Sequence, residues 1–322
     1  MSSAAQAPSD IRQDERHSVE FPRKLGLRDL CKSFLLDTIT IFKLRVTALV
    51  VMTAWAGYYL GAAQSGIDSF NSTMWNTLLG VALTSCGSSV LNQVLERRTD
   101  ALMLRTASRP LAARRLGLGY GVLLGMGTIM AGSIWLMVTT NPITGTLTLL
   151  TAVMYVGIYT PLKRHTTLAT FIGAFPGAMP PLIGWTAARG SIEWPAVALF
   201  AILFVWQFPH FMSIAWLYRE DYGRAGIRML PVVEPDGWST AAEALIYAVL
   251  MIPVSLAPYY LHIAGRTYWV AAVVLGVVYL AYTIRFARIT RCSPSESRHY
   301  ARALLKVSVI YLPLLLAAMM QI

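Results

Sequence analysis

Residues 116–138 read LGLGYGVLLGMGTIMAGSIWLMV, a run without a charged side chain, preceded directly by Arg114 and Arg115. A helix of this length matches the roughly 30 Å hydrocarbon core of a bilayer, where the backbone must satisfy its own hydrogen bonds. Comparable runs lie on both sides of it, near 46–63, 75–95, 143–160, 168–186, 195–217, 241–262, 267–286 and 303–320. The whole chain of 322 residues is 56% apolar and 13% charged, about half the charged fraction of soluble domains. These features predict an all-α polytopic membrane protein with nine transmembrane helices and exclude a water-soluble enzyme.

The basic balance tests that topology. Of 27 Lys and Arg, 25 fall in the N-terminal segment and in alternate connections, and only Arg189 and Arg266 fall on the opposite side. Cytoplasmic flanks of spans collect cations, so the net charge of +11 follows from a cytoplasmic N-terminus. Nothing beyond topology calls for a nucleic-acid partner. Residues 1–45 are read as a polar cytoplasmic segment and 46–322 as the membrane domain. The segment has no early apolar stretch of a secretory signal and is too rich in acids for a transit peptide, which points to a bacterial inner membrane. Cys31, Cys86 and Cys292 form no paired spacing, so neither a disulfide framework nor a zinc site is indicated. Gly80, Gly87, Gly121, Gly125, Gly173 and Gly177 suit close helix packing in lipid.

Ionisable groups at the ends of spans carry the functional reading. Asn92, Glu96 and Asp100 stand at i, i+4 and i+8, which aligns three oxygen-bearing side chains on one helical face. Such a ladder suits Mg²⁺ shared with a diphosphate, since Mg²⁺ keeps few protein ligands and completes its shell with water and phosphate. Arg105 and Arg109 follow as anion partners. Tyr218, Arg219, Glu220 and Asp221 form a second cluster on the same expected face, and Lys163 and Arg164, with Lys43 and Arg45, a third. The plainer alternative for each is a solvated loop whose cations serve topology alone. His210, in the run Trp206–Phe211, is either a packing residue or a ligand of a haem iron or a proton relay.

Four stretches taken in order, Asn92–Leu111, Tyr159–Arg164 with Gly177–Trp185, Trp206–Phe211 and Tyr218–Pro231, resemble the UbiA-type intramembrane prenyltransferases, in particular their haem-using branch. The resemblance runs from about Lys43 to the last span. It implies a helical bundle with a chamber open to lipid and a polar cap. It makes Asn92, Glu96, Asp100 and Asp221 candidate catalytic and Mg²⁺–diphosphate ligands. Lys43, Arg45, Arg105, Arg109, Lys163, Arg164, Tyr218 and Arg219 become candidate substrate contacts, and His210 a candidate haem contact. The implied reaction joins farnesyl diphosphate to heme B, with water addition, giving heme O; a heme A synthase or terminal oxidase assembly is the implied downstream partner. An aromatic quinone precursor as acceptor, or a membrane carrier, are the competing readings. This chain departs from the family pattern at Glu96, often Asp, at Ala225 in place of a second-motif carboxylate, and at Ala169 in place of Asn.

Overall fold

A turn at Lys43 sets how the chain enters the bundle. The computed structural model describes residues 27–321. Helix α1 (Leu27–Ile41) is followed by Lys43 in the left-handed region, φ 49° and ψ 51°, which redirects the chain into α2 (Leu44–Gln64). For a residue with a Cβ that conformation costs about 1–2 kcal/mol, so the packing around it must hold it. Gln93 Nε2 donates to the Ile41 carbonyl at 2.6 Å, Asp37 accepts from Arg115 at 2.9 and 3.0 Å, and Thr38 lies 3.0 Å from the Tyr120 hydroxyl.

Helix α3 (Ser72–Asp100) starts at Asn71, whose side chain accepts from the Met74 amide, and packs closely along α4 (Leu118–Thr139). Asn141 and Pro142 start α5 (Pro142–Val153) in the same way. The span then passes through a π-helical stretch, Met154–Tyr159, into α6 (Thr160–Leu162). The remaining elements are α7 (Ala169–Arg189), α8 (Trp194–Leu217), the short α9 (Arg219–Arg224) and α10 (Leu230–Val233), α11 (Trp238–Tyr260), α12 (Arg266–Phe286) and α13 (Pro294–Met319). Ser293 and Glu296 close α13 with a capping box.

Nine spans are expected from the sequence; among the described residues eight helices are long and apolar enough to cross a membrane. The expected span at 168–186 is α7, which has the length but carries Pro176, Pro180, Pro181 and several glycines. Its surroundings explain the composition. Helix α7 is packed against α2, α5 and α8 and is buried along most of its length, so its side chains need not be lipid-soluble. The outer faces of other helices are the reverse, with Leu123, Val138, Ile246, Val274 and Ile310 exposed, as lipid contact requires.

Of the segment read as polar, residues 1–26 lie outside the described residues. Residues 27–41 form α1, which exposes Leu30, Phe34, Leu35, Leu36 and Ile39 beside the charged Arg28, Asp29 and Lys32 and is amphipathic in composition. The expected small-residue contacts are present. A Cβ on Gly87 would come within 2.6 Å of the Gly125 carbonyl between α3 and α4. The tightest approach joins α2 to α7, where a Cβ on Gly57 would overlap the Pro181 carbonyl and one on Gly184 the Ala54 carbonyl. The largest core, around Trp185, Leu199, Tyr268, Tyr279 and Phe286, ties α7 and α8 to the last three helices.

Candidate active site

The last turns of α3 bring the expected carboxylates to one end of the bundle, each met by a cation from a different element. Lys43 Nζ donates to Asn92 Oδ1 at 2.9 Å, and Asn92 Nδ2 donates to Thr160 Oγ1 at 3.2 Å. One turn on, Lys163 Nζ pairs with Glu96 Oε1 at 2.8 Å while lying 4.4 Å from the Tyr159 ring centre. After another turn, Arg109 Nη1 pairs with Asp100 Oδ2 at 2.8 Å, and Asp100 is 1% exposed. Its Oδ1 is buried without a hydrogen-bond partner. Across from it the Leu104 amide donates to Asp221 Oδ1 at 3.4 Å, and Arg224 pairs with the same carboxylate.

Cations and acids alternate here, and the cations crowd. Burial, and then the nearby charge of Arg109, lower the Lys43 ammonium to about 7. A buried cation held at such a cost is relieved by an incoming anion. Below this cluster a cavity of about 320 Å³ runs between α2, α3, α5, α7 and α8, lined by Val46, Ser88, Tyr155, Tyr159, Pro176 and Phe211 among others. Tyr159 lines the cavity and also touches Lys163, so the chamber reaches the charged cluster through this ring. The π-helix widens the backbone at Tyr155 and Tyr159, as such bulges do at functional sites.

The structure gathers Lys43, Asn92, Glu96, Asp100, Arg109 and Lys163, with Asp221 reached across Leu104. Arg164 lines a smaller cavity beside Glu96 and Lys163. Arg105 stands over the Tyr218 and Tyr222 rings, at 4.7 and 5.3 Å, and donates to the Tyr222 hydroxyl. Others are placed elsewhere. Arg45 is exposed, and Arg219 turns back to the Trp216 carbonyl at 2.8 Å and onto its indole. Glu220 points outward to Arg298 at 2.7 Å, while Ala225 packs with Met103 and Ile227 where a second carboxylate would stand. His210 faces α13, its Nδ1 2.8 Å from the Ser308 hydroxyl and its ring stacked on Trp206; Gln207 and Phe211 are the α8 residues that line the chamber. Tyr155, Tyr159 and Thr160 also belong to the site. Tyr159 and Thr160 lie in the stretch Tyr159–Arg164 that the sequence singles out, without a role assigned to them there, and Tyr155 lies outside it; the Tyr-x₃-Tyr spacing one turn before Lys163 is the trace it leaves.

Among the described residues no three His, Cys, Asp or Glu side chains converge as a closed metal cage. The donor set still fits Mg²⁺, which takes few carboxylates when a diphosphate supplies the rest. Asp100 Oδ1 is the observation that favours it, a buried carboxylate oxygen without a hydrogen-bond partner.

Comparison with known proteins agrees with this architecture. The UbiA prenyltransferase family matches residues 49–307. A protoheme IX farnesyltransferase of Koribacter versatilis is 52% identical over 89% of this chain and 93% of its own length, and one of Solibacter usitatus is 42% identical over 88% and 97%. Among solved structures, a digeranylgeranylglyceryl phosphate synthase aligns with TM-score 0.72 at 16% identity, covering 89% of this chain and 97% of that one. A UbiA homolog from Archaeoglobus fulgidus, bound to DMAPP and Mg²⁺, aligns with TM-score 0.56 at 16% identity over 88% and 99%.

Proposed function

The chain belongs to the UbiA prenyltransferase family, and from that premise we propose that it transfers the farnesyl group of farnesyl diphosphate to a vinyl group of heme B, with addition of water, giving heme O and diphosphate. The observation that carries this reading is an apolar chamber ending at a ring of cations and carboxylates, in a chain 52% identical to a protoheme IX farnesyltransferase over nearly its whole length. The multi-pass bundle is proposed to sit in the bacterial inner membrane with the charged cluster on the cytoplasmic side, supported by the Lys and Arg asymmetry.

Charge accounting sets the residue roles. Lys43, Lys163 and Arg109 hold the diphosphate and stabilise the charge that builds on it as the allylic C–O bond breaks. Asn92, Glu96, Asp100 and Asp221 are the residues that would hold Mg²⁺, which supplies further neutralisation of the leaving diphosphate. The chamber keeps the tail out of water, so the allylic cation meets the haem vinyl carbon before it meets hydroxide. Attack through the vinyl terminus leaves a cation next to the porphyrin, and water captures it with loss of a proton. A heme A synthase or a terminal oxidase assembly is the proposed recipient.

Purified protein given heme B, farnesyl diphosphate and Mg²⁺ is expected to yield heme O by mass analysis, with the product lost on chelation and restored by added Mg²⁺. Unmodified heme B from a folded protein would overturn the assignment. Donor length gives a second test. Ser85 lines the chamber two turns below Asn92, about 10 Å along α3, so Ser85→Phe shortens it at the depth that a farnesyl tail reaches and a geranyl tail does not. Overpacking of about 1–3 kcal/mol is expected to raise the KM for farnesyl diphosphate by about tenfold or more while geranyl diphosphate is affected less. An unchanged KM ratio would place the tail elsewhere.

A further inference from the structure

A second polar cavity, of about 350 Å³, is bordered by Glu220 and Asp221 and shares no lining residue with the cavity beside Lys163. Its rim carries Arg224 from α9 and Arg298 and Arg302 from the first turns of α13; its floor is Leu217 and Leu305. Positive-inside topology accounts for arginines at this end of the bundle. It does not account for three of them, from elements more than 70 residues apart in sequence, turning toward one cavity.

The contacts show what chemistry this rim accepts. Arg224 pairs with Asp221, and Arg298 Nη2 pairs with Glu220 at 2.7 Å, so two of the guanidiniums already bind carboxylates. Arg302 has no ion pair or hydrogen bond among the described residues. Each guanidinium has five N–H donors in a planar fork matched to carboxylate, and most of those at this rim remain for a ligand. The floor is apolar, and Ser308, which binds His210 and accepts the Trp206 indole at its carbonyl, lies about 9 Å further along α13 than Arg302. A ligand with carboxylates at one edge and a broad apolar body beyond them matches a rim and floor of this kind. Diphosphate would use the guanidinium forks equally well but would leave the apolar floor of Leu217 and Leu305 uncovered.

We propose that Arg224, Arg298 and Arg302 form a carboxylate subsite that receives the propionates of the tetrapyrrole acceptor. The inference rests on the heme B reading above and names where that acceptor is held. It places the acceptor's acidic edge beside Asp221, the carboxylate that also borders the proposed diphosphate site, so one residue adjoins both substrates.

The test compares heme B with its propionate dimethyl ester in the full chain in lipid nanodiscs, read by the Soret shift on binding and by heme O formation. The wild-type protein is expected to bind the free acid about 10- to 100-fold more tightly than the ester, the range for charge-assisted hydrogen bonds. In Arg298→Gln/Arg302→Gln that preference is expected to collapse, with the KM for farnesyl diphosphate unchanged. Equal wild-type affinity for acid and ester overturns the subsite and needs no variant to fold. Retained discrimination in a folded double variant overturns it as well. If the wild-type chain neither binds nor farnesylates heme B, the functional reading itself fails, an outcome separate from either of these.

Discussion

Asp100→Asn is expected to lower kcat for prenyl transfer by about 10²–10³-fold, the loss seen when one preorganised electrostatic partner is removed from a water-poor site. The substitution keeps the size of the side chain and removes its charge. Two consequences follow from the geometry. Arg109, 2.8 Å away, loses its counter-charge, and the unpartnered Oδ1 ceases to be an anionic ligand. Arg109 retains 27% side-chain exposure, so water can solvate it and the fold is expected to survive. Single-turnover heme O formation, with a melting curve in detergent beside it, separates the effects. A kcat near the wild-type value in a folded variant would remove Asp100 from the catalytic set.

Gly184→Ala is expected to abolish the folded protein. Its Cβ would overlap the backbone carbonyl of Ala54, and Gly57, from the opposite helix, has the same relation to the Pro181 carbonyl. Side chains relieve overpacking by changing rotamer, at about 1–3 kcal/mol; a helix backbone has no rotamer to change, so α2 and α7 must separate. Separation opens the chamber, since both helices line it. The control is Gly127→Ala on α4, where nothing lies within 4 Å. There the gain in helix propensity, about 1 kcal/mol, is expected to leave yield and melting temperature equal or higher. Monodisperse yield on size exclusion reads both, and a wild-type yield for Gly184→Ala would show that the two helices pack less closely than described.

The particular residues show how far local information reaches. Asn92, Glu96 and Asp100 share a face because α-helical spacing places them so, whatever surrounds the helix. The uncharged runs locate spans for a similar reason, since transfer into lipid depends on the residues of each run. Helix α7 is where that rule weakens. Its prolines and glycines are tolerated because protein, not lipid, surrounds it, and burial by neighbours is not written in the run itself. The amphipathic α1 was hidden by the charges interleaved along it, and it is held in place by Arg115, Tyr120 and Gln93 from later in the chain.

The sequence by itself determined a membrane-embedded helical chain, its polar end and the residue types of the proposed diphosphate site, because hydropathy, charge asymmetry and helical phase are properties of short segments. Tertiary structure alone decided the pairings. Lys43 reaches Asn92 through a left-handed turn, Lys163 meets Glu96 from 67 positions away, and His210 turns to Ser308 instead of the chamber. The same holds for Arg298 and Arg302, which share a cavity with Asp221 only because α13 packs on α8. Which way a helix rotates about its axis is set by the packing of its neighbours, and that packing is a sum over the whole bundle that no single segment contains.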